Sequence, residues 1–266
     1  MRIRPGVELA NLTDVGLERT NNEDAFGYWE PESDQEFLRK GRLAIVADGM
    51  GGHDRGEEAS RLAVEVVCET YRESQTSPQE SLLAGFHTAH ERIRERASEQ
   101  AKGESMGTTC TALSLVGAQM WYAHVGDSRL YLLRDGELTC LTSDHSRVME
   151  LVRVGIVRPR DAETHPDRNV LLRAMGIGQQ LQPDAPSQPL ELRDGDRVLL
   201  CTDGLWGVVG DEQLRAVLQE FSPADACNEL VRRSKERGAP DNVTVQILKL
   251  EMARAGSANS LEVIGS

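Results

Sequence analysis

Three apolar runs in this chain lead into an aspartate with a glycine beside it. They are Leu43 to Ala47 into Asp48-Gly49, Trp121 to Val125 into Gly126-Asp127, and Val198 to Thr202 into Asp203-Gly204. A buried strand that delivers a carboxylate at its end carries a steep desolvation cost, because that carboxylate must find a partner or lose its charge. Three such carboxylates converging would also repel one another, and a divalent cation offsets that repulsion best. The chain therefore has to fold so that strand ends meet around something positive, and a hard metal ion is the first candidate.

The hydrophobic period divides the chain into elements. Val7 to Thr13 and Ala25 to Trp29 read as short strands, and Pro31 to Lys40, charged and turn-rich, as a loop. Arg42 to Ala47 is a strand too apolar to face water on either side, ended by Gly51-Gly52. Glu57 to Arg72 has helical spacing, with Ala59, Leu62, Ala63, Val66 and Val67 on one stripe. Pro78 opens a second helix that buries Leu82, Leu83, Phe86, Ala89, His90 and Ile93. The period then changes to two. Thr108 to Val116, Gln119 to Val125, Arg129 to Arg134 and Glu137 to Leu141 read as consecutive antiparallel strands, with Asp135-Gly136 as a two-residue hairpin turn.

Ser146 to Val154 returns to helix, and Arg158 to Asn169 is a polar excursion. Pro189 to Leu192 and Arg197 to Thr202 are strands around the turn Asp194-Gly195. Asp211 to Leu218 and Pro223 to Arg237 are helices, and Asn242 to Leu250 closes as a strand. Helices in adjacent pairs, rather than alternating with strands, predict an α+β fold with antiparallel sheets: two stacked sheets with helix pairs outside. Residues 1–252 are read as one domain and 253–266 as a disordered tail.

Composition narrows the function classes. The formal charge is −13 and no block of Lys and Arg is present, so nucleic acid is not an expected partner. Five cysteines without framework spacing read as reduced thiols of a cytoplasmic protein. Met1 to Gly6 lacks the apolar core of a signal peptide, and no apolar run approaches the ~20 residues that span a bilayer, so no membrane association is expected.

Two further acidic stretches flank strands, Glu23-Asp24 after Asn21-Asn22 and Asp241-Asn242 before the last strand. Without an HExxH, a Cys/His cluster or a CxxC, zinc and soft metals are disfavoured. Carboxylates with carbonyls and water suit Mg²⁺ or Mn²⁺. The chain has no EF-hand loop, no P-loop and no GxSxG elbow. His87 and His90 share a helix face without a third ligand and read as ordinary helical residues, and Trp121 and Trp206 as packing residues.

Seven segments then occur in the order of a known family: Arg19 to Asp24, Val46 to His53, Gly107 to Thr109, Val125 to Arg129, Leu141 to Ser146, Leu200 to Leu205 and Ala239 to Thr244. Between about Val7 and Leu250 the chain resembles the metal-dependent type 2C serine/threonine phosphatases in their compact bacterial form. The resemblance implies two central antiparallel sheets flanked by helix pairs, a metal cleft at one end, and a mobile flap at about 145–169. It implies Asp48 as the carboxylate bridging two metals, with the Gly49 carbonyl on the first. Asp203 and Asp241 fall on the second, Glu23 and Asp24 on metal-held waters, and Asp127 with Asp203 on a weaker third site. Two ions about 3.5–4 Å apart would generate hydroxide for in-line attack on phosphoserine or phosphothreonine, without a phosphoenzyme.

Arg19 is the implied phosphate clamp, since a guanidinium grips two phosphate oxygens where Lys cannot. His53 is the candidate general acid, although it departs from the eukaryotic pattern, in which the histidine stands where this chain has Met50. Cys201 is expected to pack rather than react, and His145 to serve locally in its turn. The implied partners are phosphorylated proteins and a cognate Ser/Thr kinase, with a monomer as the expected state. Two alternatives remain open at the level of sequence: a phosphatase of small phosphate esters, and an inactive module that binds phosphoproteins.

Overall fold

The computed structural model describes residues 4–51, 55–99, 106–162 and 164–251. The expectations for the 253–266 tail, for His53 and for Gly52 fall outside these residues. Eleven strands are β1 (Val7–Asp14), β2 (Asp24–Trp29), β3 (Arg42–Met50), β4 (Gly107–Thr108), β5 (Cys110–Val116), β6 (Gln119–Val125), β7 (Arg129–Arg134), β8 (Glu137–Cys140), β9 (Leu190–Glu191), β10 (Arg197–Cys201) and β11 (Val243–Leu250). Eight helices are α1 (Asp34–Lys40), α2 (Arg55–Glu73), α3 (Pro78–Ser98), α4 (Arg147–Arg153), α5 (Pro159–Ala162), α6 (Asp203–Trp206), α7 (Asp211–Glu220) and α8 (Pro223–Glu236).

The strands form a five-stranded sheet in the order β1-β11-β10-β7-β8 and a six-stranded sheet in the path β2-β3-β5-β6-β9, with β4 against β3. Every named strand pair is antiparallel. Three apolar clusters define four layers. Leu43, Ile45 and Ala47 pack with α2 and α3 on one outer side, and Leu199, Cys201, Val245 and Ile247 pack with α7 and α8 on the other. Ala44, Val46 and Leu113 meet Leu130, Val198, Leu200 and Leu248 between the sheets. The fold is thus the expected α+β arrangement of two stacked sheets inside helix pairs. No helix among the described residues is long and apolar enough to cross a membrane.

Strand parity carries this layering to the acidic end. Side chains alternate faces along a strand. Ala44 and Val46 face the inter-sheet layer, so Asp48 continues that series, and Asp24 lies opposite it in the β2–β3 register. Val198 and Leu200 lead likewise to Thr202, and Leu248 traces back through Gln246 to Thr244. The inter-sheet core therefore changes from apolar to carboxylate and hydroxyl at a single end. At that same end the chain crosses from one sheet to the other through Gly126-Asp127-Ser128. Gly126 makes the crossing possible: its φ is +105°, and a Cβ there would fall 2.5 Å from Thr109.

The structure corrects several expected bounds. β3 runs through Asp48 to Met50, so Asp48 lies within a strand, not beyond its end. Residues 34–40, expected as loop, form α1: Ser33 caps it by accepting from the Glu36 N–H, and acids open and bases close it. No apolar stripe betrays this helix, because Phe37 packs beneath the guanidinium groups of Arg4 and Arg42. The four-residue α6 after Thr202 was not expected, and α5 interrupts the polar excursion. The Asp135-Gly136 turn is as expected, with both residues at positive φ and Arg134 opposite Glu137.

Gly204, on α6, packs directly on the start of β11. A Cβ there would lie 2.0 Å from the Asn242 carbonyl oxygen, a main-chain atom that cannot rotate away. Gly204→Ala is expected to lower the unfolding free energy by about 1–3 kcal/mol, read from urea denaturation.

Candidate metal centre

Asp48 lies near the end of β3, opposite Asp24 of β2, where the inter-sheet core ends. It keeps some access to solvent but is surrounded by protein, and its main chain is pinned on both sides. The Asp48 N–H donates to Thr109 Oγ1 at 2.9 Å, and its carbonyl accepts from the Thr109 N–H at 2.9 Å and Thr108 Oγ1 at 2.8 Å. Burial raises its carboxyl pKa well above the ordinary value, and the charges of Asp24, Asp203, Asp127 and Asp241 raise it further. Burial and then the charge of Asp241 lift the Asp203 pKa to about 6.

Asp24 is lifted to about 7, chiefly by burial, against two hydroxyls that favour its charged form. One of these, Thr202 Oγ1, donates to Asp24 Oδ2 at 2.8 Å and accepts from the Thr244 N–H at 3.0 Å. Asp127 is shifted upward by burial first and by Asp203 next.

Glu23 is held by its main chain. Its carbonyl accepts from the Gly49 N–H at 3.1 Å and Ser60 Oγ at 2.6 Å, and its N–H donates to Asn242 Oδ1 at 2.8 Å. Asn242 also donates to the carbonyls of Val15 and Asn21, both at 2.9 Å, tying the β1–β2 link to β11. Gly49 and Gly56 pass each other so closely that a Cβ on Gly49 would stand 2.0 Å from the Gly56 carbonyl oxygen. This crossing keeps the main chain at 49 beside Glu23.

Asp241 is engaged at both oxygens, with Oδ2 taking an Arg19 N–H at 2.7 Å and Oδ1 the Asn242 N–H at 2.9 Å. Arg19 is thus an exposed side chain paired with an acid of the cleft. The sequence-predicted acids Asp24, Asp48, Asp127, Asp203 and Asp241 are gathered within electrostatic reach, and Glu23 flanks them. Among the described residues, however, no three carboxylate, imidazole or thiolate groups already form a coordination-like cluster.

The donor set fits a hard divalent cation. Two buried oxygens, Asp24 Oδ1 and Asp203 Oδ1, accept no hydrogen bond, and such an orphaned acceptor costs free energy until a donor or cation meets it. All nearby donors are oxygens. Sequence reasoning identified the charged members but gave no role to Thr109, Thr202, Thr244 or Asn242. Each stood inside a motif, yet a small hydroxyl or amide advertises nothing until its partner is known. The Cys201 thiol is fully buried and pushed far above its usual pKa by that burial, in keeping with a packing role.

A four-layer domain with an acid-floored cleft at the common end of two antiparallel sheets is the class that this fold and site define. The protein phosphatase 2C family profile matches residues 18–247, and the chain belongs to that family. It is 35% identical over 250 residues to protein phosphatase PhpP of Streptococcus pneumoniae, covering 92% of this chain and 98% of that protein. The S. agalactiae serine/threonine phosphatase superposes with a TM-score of 0.84 at 33% identity, over 92% of this chain and 100% of that one. The catalytic domain of the serine/threonine protein phosphatase PstP, solved with two manganese ions, superposes with a TM-score of 0.79 at 34% identity, over 93% and 99% of the two chains.

The raised carboxyl pKa values fix the sign of a pH effect. An aspartate titrates near 3.9 when unfolded and near 6 to 7 here for Asp203 and Asp24. The native state therefore binds more protons, and stability falls as pH rises through that interval. Metal-stripped protein is expected to melt at a higher temperature at pH 5 than at pH 7.5. At pH 7.5, Mn²⁺ should restore the loss and release protons, measured by calorimetry in buffers of different ionisation enthalpy.

Proposed function

We propose that this chain is a Mn²⁺- or Mg²⁺-dependent phosphatase that hydrolyses phosphoserine and phosphothreonine in proteins. One observation carries the reading: a member of the protein phosphatase 2C family gathers buried, mutually repelling carboxylates, two with unsatisfied oxygens, at the mouth between its sheets. Asp48, Asp203 and Asp241, with the Gly49 carbonyl, would hold two cations. Glu23 and Asp24 would act around them through water, and Asp127 with Asp203 would form a weaker third site. When bound, such ions supply Lewis acidity that lowers the pKa of water and offsets charge on the phosphate.

The chain's own residues do the remaining work. The threonine contacts to Asp48 and Asp24 fix the acids in place, so little reorganisation is left for the reaction itself. Arg19, exposed at the rim, can exchange the Asp241 carboxylate for a phosphate and present two N–H groups to it. His53 is the proposed proton donor to the leaving serine or threonine oxygen. A cysteinyl phosphoenzyme has no support: burial holds the Cys110, Cys201 and Cys227 thiols far above neutrality.

The same proposal takes residues 1–252 as one catalytic unit with a flap at about 145–169. It also takes the protein as a cytoplasmic monomer and a Ser/Thr kinase as the source of its substrates. The cysteines in the structure are free, as a reducing compartment would keep them.

Asp48→Ala and Asp203→Asn are each expected to reduce turnover of a phosphothreonine peptide by at least about a thousandfold while circular dichroism stays native; near-normal turnover would remove these residues from the centre. Chelation should stop the reaction and Mn²⁺ restore it. Arg19→Ala is expected to act mainly on KM, and an unchanged KM would make Arg19 a bystander. A sugar phosphate or phosphotyrosine turned over faster than the phosphothreonine peptide would replace the assigned substrate class.

A further inference from the structure

The stretch Leu141 to Ser146 supplies no proposed cation ligand, yet it holds the main chain on both sides of Asp127. On one side, the His145 N–H donates to the Gly126 carbonyl at 2.7 Å, and the Gly126 N–H donates back to His145 Nδ1 at 3.2 Å. On the other, Trp206 Nε1 donates to the Asp127 carbonyl at 2.9 Å. The Trp206 ring lies under the Arg129 guanidinium, 3.6 Å from its carbon, and Arg129 is locked to Asp144 by two hydrogen bonds of 2.9 and 2.8 Å. Consecutive residues, Asp144 and His145, thus reach the two flanks of one acid.

His145 is also the root of the excursion that follows. Its carbonyl accepts from the Leu172 N–H at 2.8 Å, and the Arg147 N–H donates to the Val170 carbonyl at 2.7 Å, so the outgoing and returning chains pair at the neck. Because Nδ1 accepts from Gly126, the ring proton belongs on Nε2. That nitrogen is 3.1 Å from Asp184 Oδ2, close in distance but off-line in angle, which makes the contact electrostatic. Asp184 in turn takes Arg173 at 2.7 Å and exchanges two main-chain hydrogen bonds of 2.9 Å with His124. The buried His145 ring is therefore a junction between Gly126 and the returning arm of the excursion, which carries Arg173 and Asp184.

We propose that His145 is a positioning residue that fastens Asp127 to this returning arm, so that the arm sets how firmly Asp127 holds a cation. The proposal rests on Asp127 being a cation ligand, and the experiment separates the two ideas. The full-length protein is titrated with MnCl₂ by calorimetry. Asp127→Ala identifies the binding event that depends on this acid. Asp184→Ala, at a half-exposed position, breaks the far arm of the junction without disturbing a core. His145→Gln keeps an amide near Nε2 and loses the acceptor for Gly126, whereas His145→Asn does the reverse.

Asp184→Ala, His145→Gln and His145→Asn are each expected to weaken the Asp127-dependent event about tenfold, as loss of a partner behind a ligand does, and to leave the other events unchanged. Asp184→Ala combined with His145→Asn should be no worse than either alone, because both cut the same arm. Wild-type Mn²⁺ affinity in Asp184→Ala would overturn the coupling and leave His145 a purely local brace. Should Asp127→Ala remove no event, the cation reading of Asp127 fails and the proposal falls with it. A variant that melts early is judged on Asp184→Ala, whose side chain lies nearest to solvent.

Discussion

The repulsion among carboxylates brought together where two sheets end is the constraint on which the rest of this structure depends. Asp48 feels four other aspartates, and burial removes the water that would otherwise screen them. Left alone, such a group would shed charge by taking up protons or would push its strands apart. The fold resists the second outcome by fixing main chain rather than side chain. Asp48 is tied at both N–H and carbonyl, Glu23 likewise, and Asp127 is held through its neighbour and its own carbonyl. With their main chain fixed the acids stay together, so they relieve the repulsion by binding protons until a cation displaces those protons.

The hydroxyls make this arrangement possible at moderate cost. Thr109, Ser128, Thr202 and Thr244 occupy the border between the apolar inter-sheet core and the acids, where either a bare apolar residue or another charge would fail. Thr109 Oγ1 and Ser128 Oγ stand 2.7 Å apart, so the strand that carries Asp48 is joined through these hydroxyls to the crossing that carries Asp127. A hydroxyl both donates and accepts, so one residue can serve an acid on one side and a backbone group on the other. Thr202 does this between Asp24 and Thr244.

Much of the architecture was legible in advance because its signals are local and periodic. The short apolar runs of β5, β6 and β7, bounded by turn residues, and the stripes of α2 and α3 mark buried strands and one-faced helices, which sequence reports directly. Helix α1 was missed because its stability comes from a serine cap and from an aromatic ring packed against the guanidinium groups of Arg42 and the distant Arg4. The pairing of Arg19 with Asp241 was equally hidden, since the two lie 222 positions apart. The two flanks of Asp127 were hidden for the same reason: Trp206 and His145 become its neighbours only when both sheets have formed.

The sequence by itself determined the layered α+β arrangement, the identity of the acids and the oxygen-only chemistry they offer, because hydrophobic period and residue type are written along the chain. Tertiary structure alone decided which acids touch, which are already engaged by arginine or threonine, and which backbone groups hold them. Those outcomes depend on the register of antiparallel strands and on crossings between sheets. In a strand, a shift of one residue would turn Asp48 from the cleft to the helical layer. Only the folded chain, with Asp24 set opposite Asp48, fixes that register.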